Sequence, residues 1–437
     1  MLSKLSNALH SFRVIQLTSL LLVSLTVMGK NHSTPACRAK VAIRSGNHKA
    51  VISAYYPGYN AKFLPPAKIP WKLYNHLQYF VAVPAPTPEA DLVIDDEKNM
   101  LEVVAGAKSN SVSISLSVGG WTGSRFFSFL VGDSRNRTLF AETISRAVKK
   151  YKFDGVDLDW EYPNFQGLGC NALNKDDSKN FLAFLKVLRN KLGKKSRLSA
   201  AVSVHGFMSE DGKNYLKDVS EFGKVLDFIT IMVYDIYGSS SKIAGPNAPL
   251  FSTCSDPASK FSASQAVKHW ISTGIPAKKL ILGIPSYGYA YTLKSNKLTE
   301  TKFSGDSKKT SHLFQSTTGV PPKAGKTADV GGDRDACGNV NPPGGQWLFK
   351  ELSGTKKLTS DAKKGLGGFE RHYDSCTQTP FIFNPETRSL ISYDDPTSFR
   401  AKAKFVLRHG LAGVEVFDAT GDTDDNILLR SVRKVLA

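Results

Sequence analysis

From about residue 50 onward the chain alternates short apolar runs with longer amphipathic stretches. Apolar runs at Val51 to Tyr56, His76 to Val83, Ser111 to Val118, Leu198 to Val204, Phe228 to Tyr234, Leu280 to Pro285 and Gly413 to Phe417 have the length and composition of strands. One more strand, fourth in chain order, lies in Phe153-Asp154-Gly155-Val156-Asp157-Leu158-Asp159-Trp160-Glu161-Tyr162-Pro163. Helical patterns separate most of them. The clearest runs from Lys179 to Leu192, where Phe181, Phe184, Leu185, Leu188 and Leu192 recur at helical spacing behind an Asp or Ser cap. Others read at Thr138 to Lys150, Ser264 to Ser272, Thr397 to Arg408 and Asp425 to Leu436. Eight strands, mostly helix-separated, predict an α/β fold: a closed parallel (β/α)8 TIM barrel over residues 49–437, with functional residues at the C-terminal strand ends.

The alternation breaks between the seventh strand and the following helix. Residues 289–390 are rich in Lys, Gly, Ser and Pro and too long for an ordinary barrel loop. They read as a small α+β insertion forming one wall of a cleft. A flexible linker is the alternative, against which stand Trp347, Phe369, Tyr373, Phe381 and Phe383.

Composition narrows the function classes. At 437 residues and 41% hydrophobic content, the chain can bury one large core. The formal charge of +19 comes from Lys and Arg that are scattered rather than gathered into a run, so nucleic-acid binding is not expected. Residues 1–29 read as a secretory signal peptide: Lys4 and Arg13 precede an apolar run from Val14 to Met28 that is short for a membrane span. Residues 30–48 form an N-terminal segment, and the expected location is extracellular; an uncleaved anchor is the alternative. An oxidising compartment suits the five cysteines, for which the expected pairs are Cys170 with Cys254 and Cys337 with Cys376, leaving Cys37 free. No metal-ligand spacing is present, and no cofactor or metal is expected. Asn31 and Asn136 head glycosylation sequons.

The fourth strand carries the chemistry. Side chains alternate along a strand, so Asp157, Asp159 and Glu161 share one face, successive positions lying roughly 7 Å apart. Stacked carboxylates push at least one pKa upward, and a carboxylic acid that is still protonated near neutrality is what a general acid requires. An acidic solvent face is the bland alternative; the wholly apolar opposite face argues against it.

These residues also carry a resemblance. Asp154, Asp157, Asp159 and Glu161 match the DxxDxDxE signature of family 18 glycoside hydrolases, the chitinases and their relatives, with Tyr-Pro following. The resemblance implies that Glu161 protonates the leaving oxygen while the substrate's own 2-acetamido oxygen attacks, forming an oxazolinium ion. It further implies that Asp159 holds the acetamide N–H and Asp157 shares a proton with it, Asp154 being a structural acid. Ser117-Val118-Gly119-Gly120-Trp121 resembles the family's SxGG motif, and Met232-Val233-Tyr234-Asp235 its MxYD motif, whose tyrosine hydrogen-bonds the acetamide oxygen. Tyr55, Tyr162 and Tyr287 fall at family-like cleft positions, where aromatic rings stack on sugars. Gly119, Gly120, Trp121, Met232 and Asp235 join them as expected substrate contacts. Three places depart from the pattern: Phe417 stands where a tryptophan floor is usual, Glu415 where methionine is common, and the tryptophan often seen after the sixth-strand YD is missing from Ile236-Tyr237-Gly238-Ser239-Ser240.

The resulting expectation is a secreted, monomeric chitinase acting on chitin or chito-oligosaccharides with retention at the anomeric carbon. The alternatives are an endo-N-acetylglucosaminidase acting on glycoprotein glycans and a non-catalytic chitin lectin.

Overall fold

The computed structural model describes residues 49–252, 261–302, 310–322, 324–326, 334–340 and 344–437. The expected signal peptide and N-terminal segment therefore lie outside the described residues. Seven strands, β1 (Val51–Pro57), β2 (His76–Ala82), β3 (Ser113–Gly119), β4 (Gly155–Asp159), β5 (Arg197–Val202), β6 (Phe228–Met232) and β7 (Leu280–Pro285), come first in the barrel. The following segment supplies β8 (Tyr287–Thr292), β9 (Thr301–Lys302), β10 (Thr310–Ser311), β11 (Gln346–Leu348), β12 (Glu370–Asp374), β13 (Thr379–Asn384) and β14 (Ser389–Ser392), and β15 (Gly413–Phe417) is the last strand of the chain. Eight of these close a parallel barrel in the order β1-β15-β7-β6-β5-β4-β3-β2.

The strands are buried on both faces, which is why they read as nearly continuous apolar runs. On β4 the outward residues Val156 and Leu158 pack under the helices, and Trp160 just beyond the strand stacks on Phe127 at 5.3 Å and meets Phe181 edge-on at 5.4 Å. Phe140 and Phe184 stack at 5.1 Å, joining helices Ser134–Lys150 and Asp177–Leu192. Both helices begin a little earlier than their apolar periodicity indicates, since caps and first turns are polar. Asp133 caps the first by accepting from the Asn136 backbone. The Asp177 side chain does not cap the second; it accepts from Ser128 and from the backbone of Asn164 and Asn174, tying loops together. The sequon residue Asn136 sits in the first turn of its helix, with Nδ2 donating to the Phe129 carbonyl.

One connection is not helical. Between β1 and β2 run three short 3-10 turns, Gly58–Phe63, Pro66–Lys68 and Trp71–Leu73, because Pro65, Pro66 and Pro70 remove the donors a helix needs.

The segment after β7 folds into an antiparallel five-stranded sheet, ordered β11-β8-β14-β13-β12, with its own apolar cluster around Tyr291, Leu313, Phe381, Phe383 and Leu390. It starts at Tyr287 rather than 289, since Ser286 alone separates β8 from β7. Two ion pairs, Lys402–Asp394 and Arg371–Asp395, each 2.5 Å, tie this sheet to the N-terminal half of helix Pro396–His409.

The expected disulfides are both corrected. Cys170 bonds Cys337, their Cα atoms 5.5 Å apart, so it does not pair with Cys254, and Cys337 does not pair with Cys376. Cys376 is itself disulfide-bonded. The loop after β4 and a loop of the insertion meet above the barrel, where Arg125 also donates to the Ala336 carbonyl, and no spacing between cysteines encodes that meeting. A non-reducing proteolytic digest read by mass spectrometry is expected to contain the Cys170–Cys337 linked peptide; a Cys170–Cys254 peptide in its place would contradict the structure.

Candidate active site

The alternation of β4 points Asp157 and Asp159 into the barrel, at 0% and 3% exposure. Their surroundings differ. Asp157 accepts from Ser199 Oγ at 2.6 Å, Tyr55 hydroxyl at 3.1 Å and Ser117 Oγ at 3.4 Å. Asp159, one rung higher, has no such donors, and its Oδ1 is buried without a hydrogen-bond partner among the described residues. Burial raises both carboxyl pKa values; Asp159 is raised further because Glu161, Asp157 and Glu415 add like charge, whereas the hydroxyl donors pull Asp157 back. Of the two, Asp159 has the stronger tendency to hold a proton.

Glu161 lies two residues past the end of β4, so its direction is set by its backbone rather than by strand pleat. That backbone is clamped: Ser124 Oγ accepts from its N–H at 2.8 Å, and Asn171 Nδ2 donates to its carbonyl at 2.9 Å. Ser124 also donates to the Gly120 and Asp159 carbonyls. The carboxyl is half-buried in the wall of a groove of about 580 Å³. Loss of water pushes its pKa up to about 7, and Asp235 adds to the rise.

The same groove is lined by Trp121, Tyr162, Phe165, Met232, Tyr234 and Asp235. Beside it, Phe417 is the hub of an aromatic cluster, its centroid 5.5 Å from Tyr55, 5.5 Å from Phe80, 5.6 Å from Tyr234 and 6.3 Å from Tyr287. Asp235 follows β6 in a left-handed turn, φ 58°, its N–H held by Asn247 Oδ1. Its own Oδ1 accepts from Tyr287 at 2.6 Å and Tyr289 at 2.8 Å, which joins the inserted sheet to the barrel rim.

Gly119 and Gly120 serve close approach, though to protein atoms. A Cβ on Gly119 would stand 2.1 Å from the Asp159 carbonyl oxygen, and one on Gly120 2.9 Å from the Phe80 ring. Both glycines have positive φ. Asp154 stands apart from all this: it pairs with Lys108 and accepts from the Ile114 N–H at the opposite end of β4.

The structure thus gathers every expected site residue except Asp154 at one end of the barrel. Sequence reading missed Ser199, Ser124, Asn171, Phe80 and Tyr289. Only Tyr289 had a readable signal, lying two residues from Tyr287 on the same strand face. Among the described residues, no group of three or more His, Cys, Asp or Glu side chains is placed to hold a metal ion.

Residues 51–422 match the family model described as "Glycosyl hydrolases family 18". The chain belongs to glycosyl hydrolase family 18. Similar relatives include a "chitinase-like effector" of Moniliophthora roreri, 38% identical over 387 residues that cover 88% of this chain and 92% of the relative. "Chitinase A1" of Niallia circulans is 28% identical over 325 residues, 71% of this chain and 41% of that longer protein. Among solved structures, a chitinase from Rhizomucor miehei superposes with a TM-score of 0.77 at 31% identity, covering 88% of this chain and 99% of its own. In this family 18 chain the β3–β4 contact at Gly119 is a tight constraint on the acids, made at a positive φ. Gly119→Ala is expected to destabilise the protein by about 2 kcal/mol or more, read as a lowered thermal midpoint.

Proposed function

We propose that this protein is a chitinase, hydrolysing β-1,4 links between N-acetylglucosamine units with retention and with the substrate's acetamide oxygen as nucleophile. The observation that carries the reading is the unpartnered Oδ1 of Asp159, buried between a donor-rich Asp157 below and the half-buried acid Glu161 at the groove. A buried polar atom left without a partner costs free energy, and an acetamide N–H laid against Asp159 would relieve that cost. The proton on Asp159 then passes to Asp157, and Asp159 carries negative charge beneath the oxazolinium as it forms. Glu161 delivers its proton to the leaving oxygen and afterwards takes one from the water that opens the ring. Tyr234 would donate to the acetamide oxygen, and Trp121, Tyr162 and the half-buried Phe417 would offer ring faces to sugar, whereas Tyr55 and Tyr287, 1% and 2% exposed, are packed behind them and hold Asp157 and Asp235 by their hydroxyls. Phe417 gives less area than a tryptophan and no N–H.

The same reading takes residues 1–29 as a secretion signal and the protein as an extracellular monomer. Among the described residues no helix is long and apolar enough to cross a membrane.

Two Moniliophthora relatives carry the name "chitinase-like effector", which leaves room for a second reading of this chain: that it binds chito-oligosaccharides without turning them over. Retention of Glu161 and of the whole acid column favours hydrolysis. Incubation with chito-oligosaccharides of increasing length separates the two, since the first yields shorter products and the second only a binding isotherm. Release of glycans from a glycoprotein instead would mark an endo-N-acetylglucosaminidase.

Glu161→Gln is expected to lose turnover by several orders of magnitude while still binding oligosaccharide; near-normal activity would remove Glu161 from the mechanism. A general acid works only while protonated, so wild-type kcat/KM should fall as pH rises through about 7, the value to which Glu161 is raised. Asp159→Asn should lose most activity as well, because an amide cannot take up the negative charge.

A further inference from the structure

The acid column does not end at Asp157. Glu415 on β15 points into the same barrel interior and is 1% exposed. At its level stand Ser53 of β1 and Gly283 of β7, its partners in strand register. Its Oε1 accepts from Ser53 Oγ at 2.8 Å, and its Oε2 reaches past β7 to accept from Thr230 Oγ1 on β6 at 2.6 Å. Both carboxylate oxygens are thus served by hydroxyl donors, an arrangement suited to an ionised group. A carboxyl has no packing reason to occupy a barrel layer that Val, Ile or Leu ordinarily fill.

The charged and titratable groups around Glu415 come from several elements. β1 contributes Tyr55, whose hydroxyl is bonded to Asp157. β4 contributes Asp157 and Asp159, and β5 contributes Arg197, most of whose guanidinium is withdrawn from water. Tyr234 looks down from beyond β6. On β2, His76 lies beside Ser53 in the strand register, and burial and the Arg197 charge hold its pKa well down. β3 and β7 carry no titratable residue. Along β1, Ser53, which is bonded to Glu415, lies one same-face step before Tyr55, which is bonded to Asp157, and Asp159 lies one step further up β4, so Glu415 sits at the Asp157 end of the column.

We propose that Glu415 is a fourth member of the acid column, a positioning residue whose negative charge favours transfer of the shared proton from Asp159 to Asp157. This rests on the hydrolytic reading above. In the step, the O–H bond on Asp159 breaks and one forms on Asp157; Asp159 becomes the carboxylate, Asp157 becomes neutral, and Glu415 keeps its charge. A negative group nearer to Asp157 than to Asp159 raises the proton affinity of Asp157 more, so it helps Asp159 to be ionised when positive charge develops on the sugar. The reverse transfer restores the column after hydrolysis. Burial and Asp157 push the Glu415 pKa up to about 7. Below that pH Glu415 takes a proton and its assistance is lost, so it shapes the acidic limb of the rate profile while Glu161 shapes the alkaline limb.

The test compares pH profiles of kcat and KM on a chito-oligosaccharide for wild type, Glu415→Gln and Glu415→Met. Gln keeps a hydrogen-bonding side chain for Ser53 and Thr230, so it separates loss of charge from loss of fold; thermal melts check that both variants are folded. The expected result is a kcat lowered on the order of tenfold, the worth of about one pKa unit, with the acidic limb moved to lower pH, the alkaline limb unmoved and KM little changed. Profiles superimposable on wild type, or a lower kcat with both limbs in place, would overturn the role. Wild type that turns over no oligosaccharide would overturn the hydrolytic reading and this inference with it, whereas active wild type with unshifted variants overturns this inference alone.

Discussion

The constraint on which the rest of the molecule depends is the cost of placing carboxyl groups inside a closed barrel. Asp157, Asp159 and Glu415 are almost wholly removed from water, and Glu161 is half removed. An isolated buried carboxylate would be prohibitive, so such groups either find donors or keep their protons. The barrel does both, in layers. Ser53 and Thr230 serve Glu415; Tyr55, Ser117 and Ser199 serve Asp157; the buried Oδ1 of Asp159 has no donor among the described residues, which favours its protonated form. Unequal solvation along one column gives similar side chains unequal tendencies to hold a proton. The interior of this barrel is accordingly rich in hydroxyls where an all-hydrocarbon core would be expected.

The groove end is organised by backbone contacts rather than by side-chain reach. Gly119 lets β3 approach Asp159 closely, and Ser124 and Asn171 hold the peptide of Glu161 once the strand has ended. Asp235, gripped by Tyr287 and Tyr289, carries that order into the inserted sheet, so the insertion is a structural part of the site wall. The Cys170–Cys337 bond ties the loop after β4 to the same insertion. Aromatic packing around Phe417 shows how a smaller ring can hold the position where family members usually carry tryptophan: Tyr55, Phe80, Tyr234 and Tyr287 each pack against it.

Much of this was legible before the structure. Strand alternation put Asp157 and Asp159 on one face, and the interrupted rhythm after Leu280 to Pro285 exposed the insertion. Glu161 belonged to the right end of the barrel, but its direction does not come from alternation, since the strand stops at Asp159. Ser124, Asn171 and Ser199 carried no signal, because an isolated serine or asparagine looks the same whether it clamps a catalytic backbone or faces solvent. Cysteine pairing was misread for a related reason: spacing along a chain says nothing about which loops rise from adjacent strands.

What the amino-acid order determined by itself is what local periodicity can encode: the eight-stranded barrel, the acids on its fourth strand, the glycines after its third and the foreign Glu415 on its last. What only tertiary structure decided is the environment of each group, because solvation and hydrogen bonding in a closed barrel come from residues far apart in the chain. Ser53 and Glu415 are 362 positions apart, and Tyr55 and Asp157 are 102 apart, yet these contacts decide which carboxyls are served by hydroxyl donors.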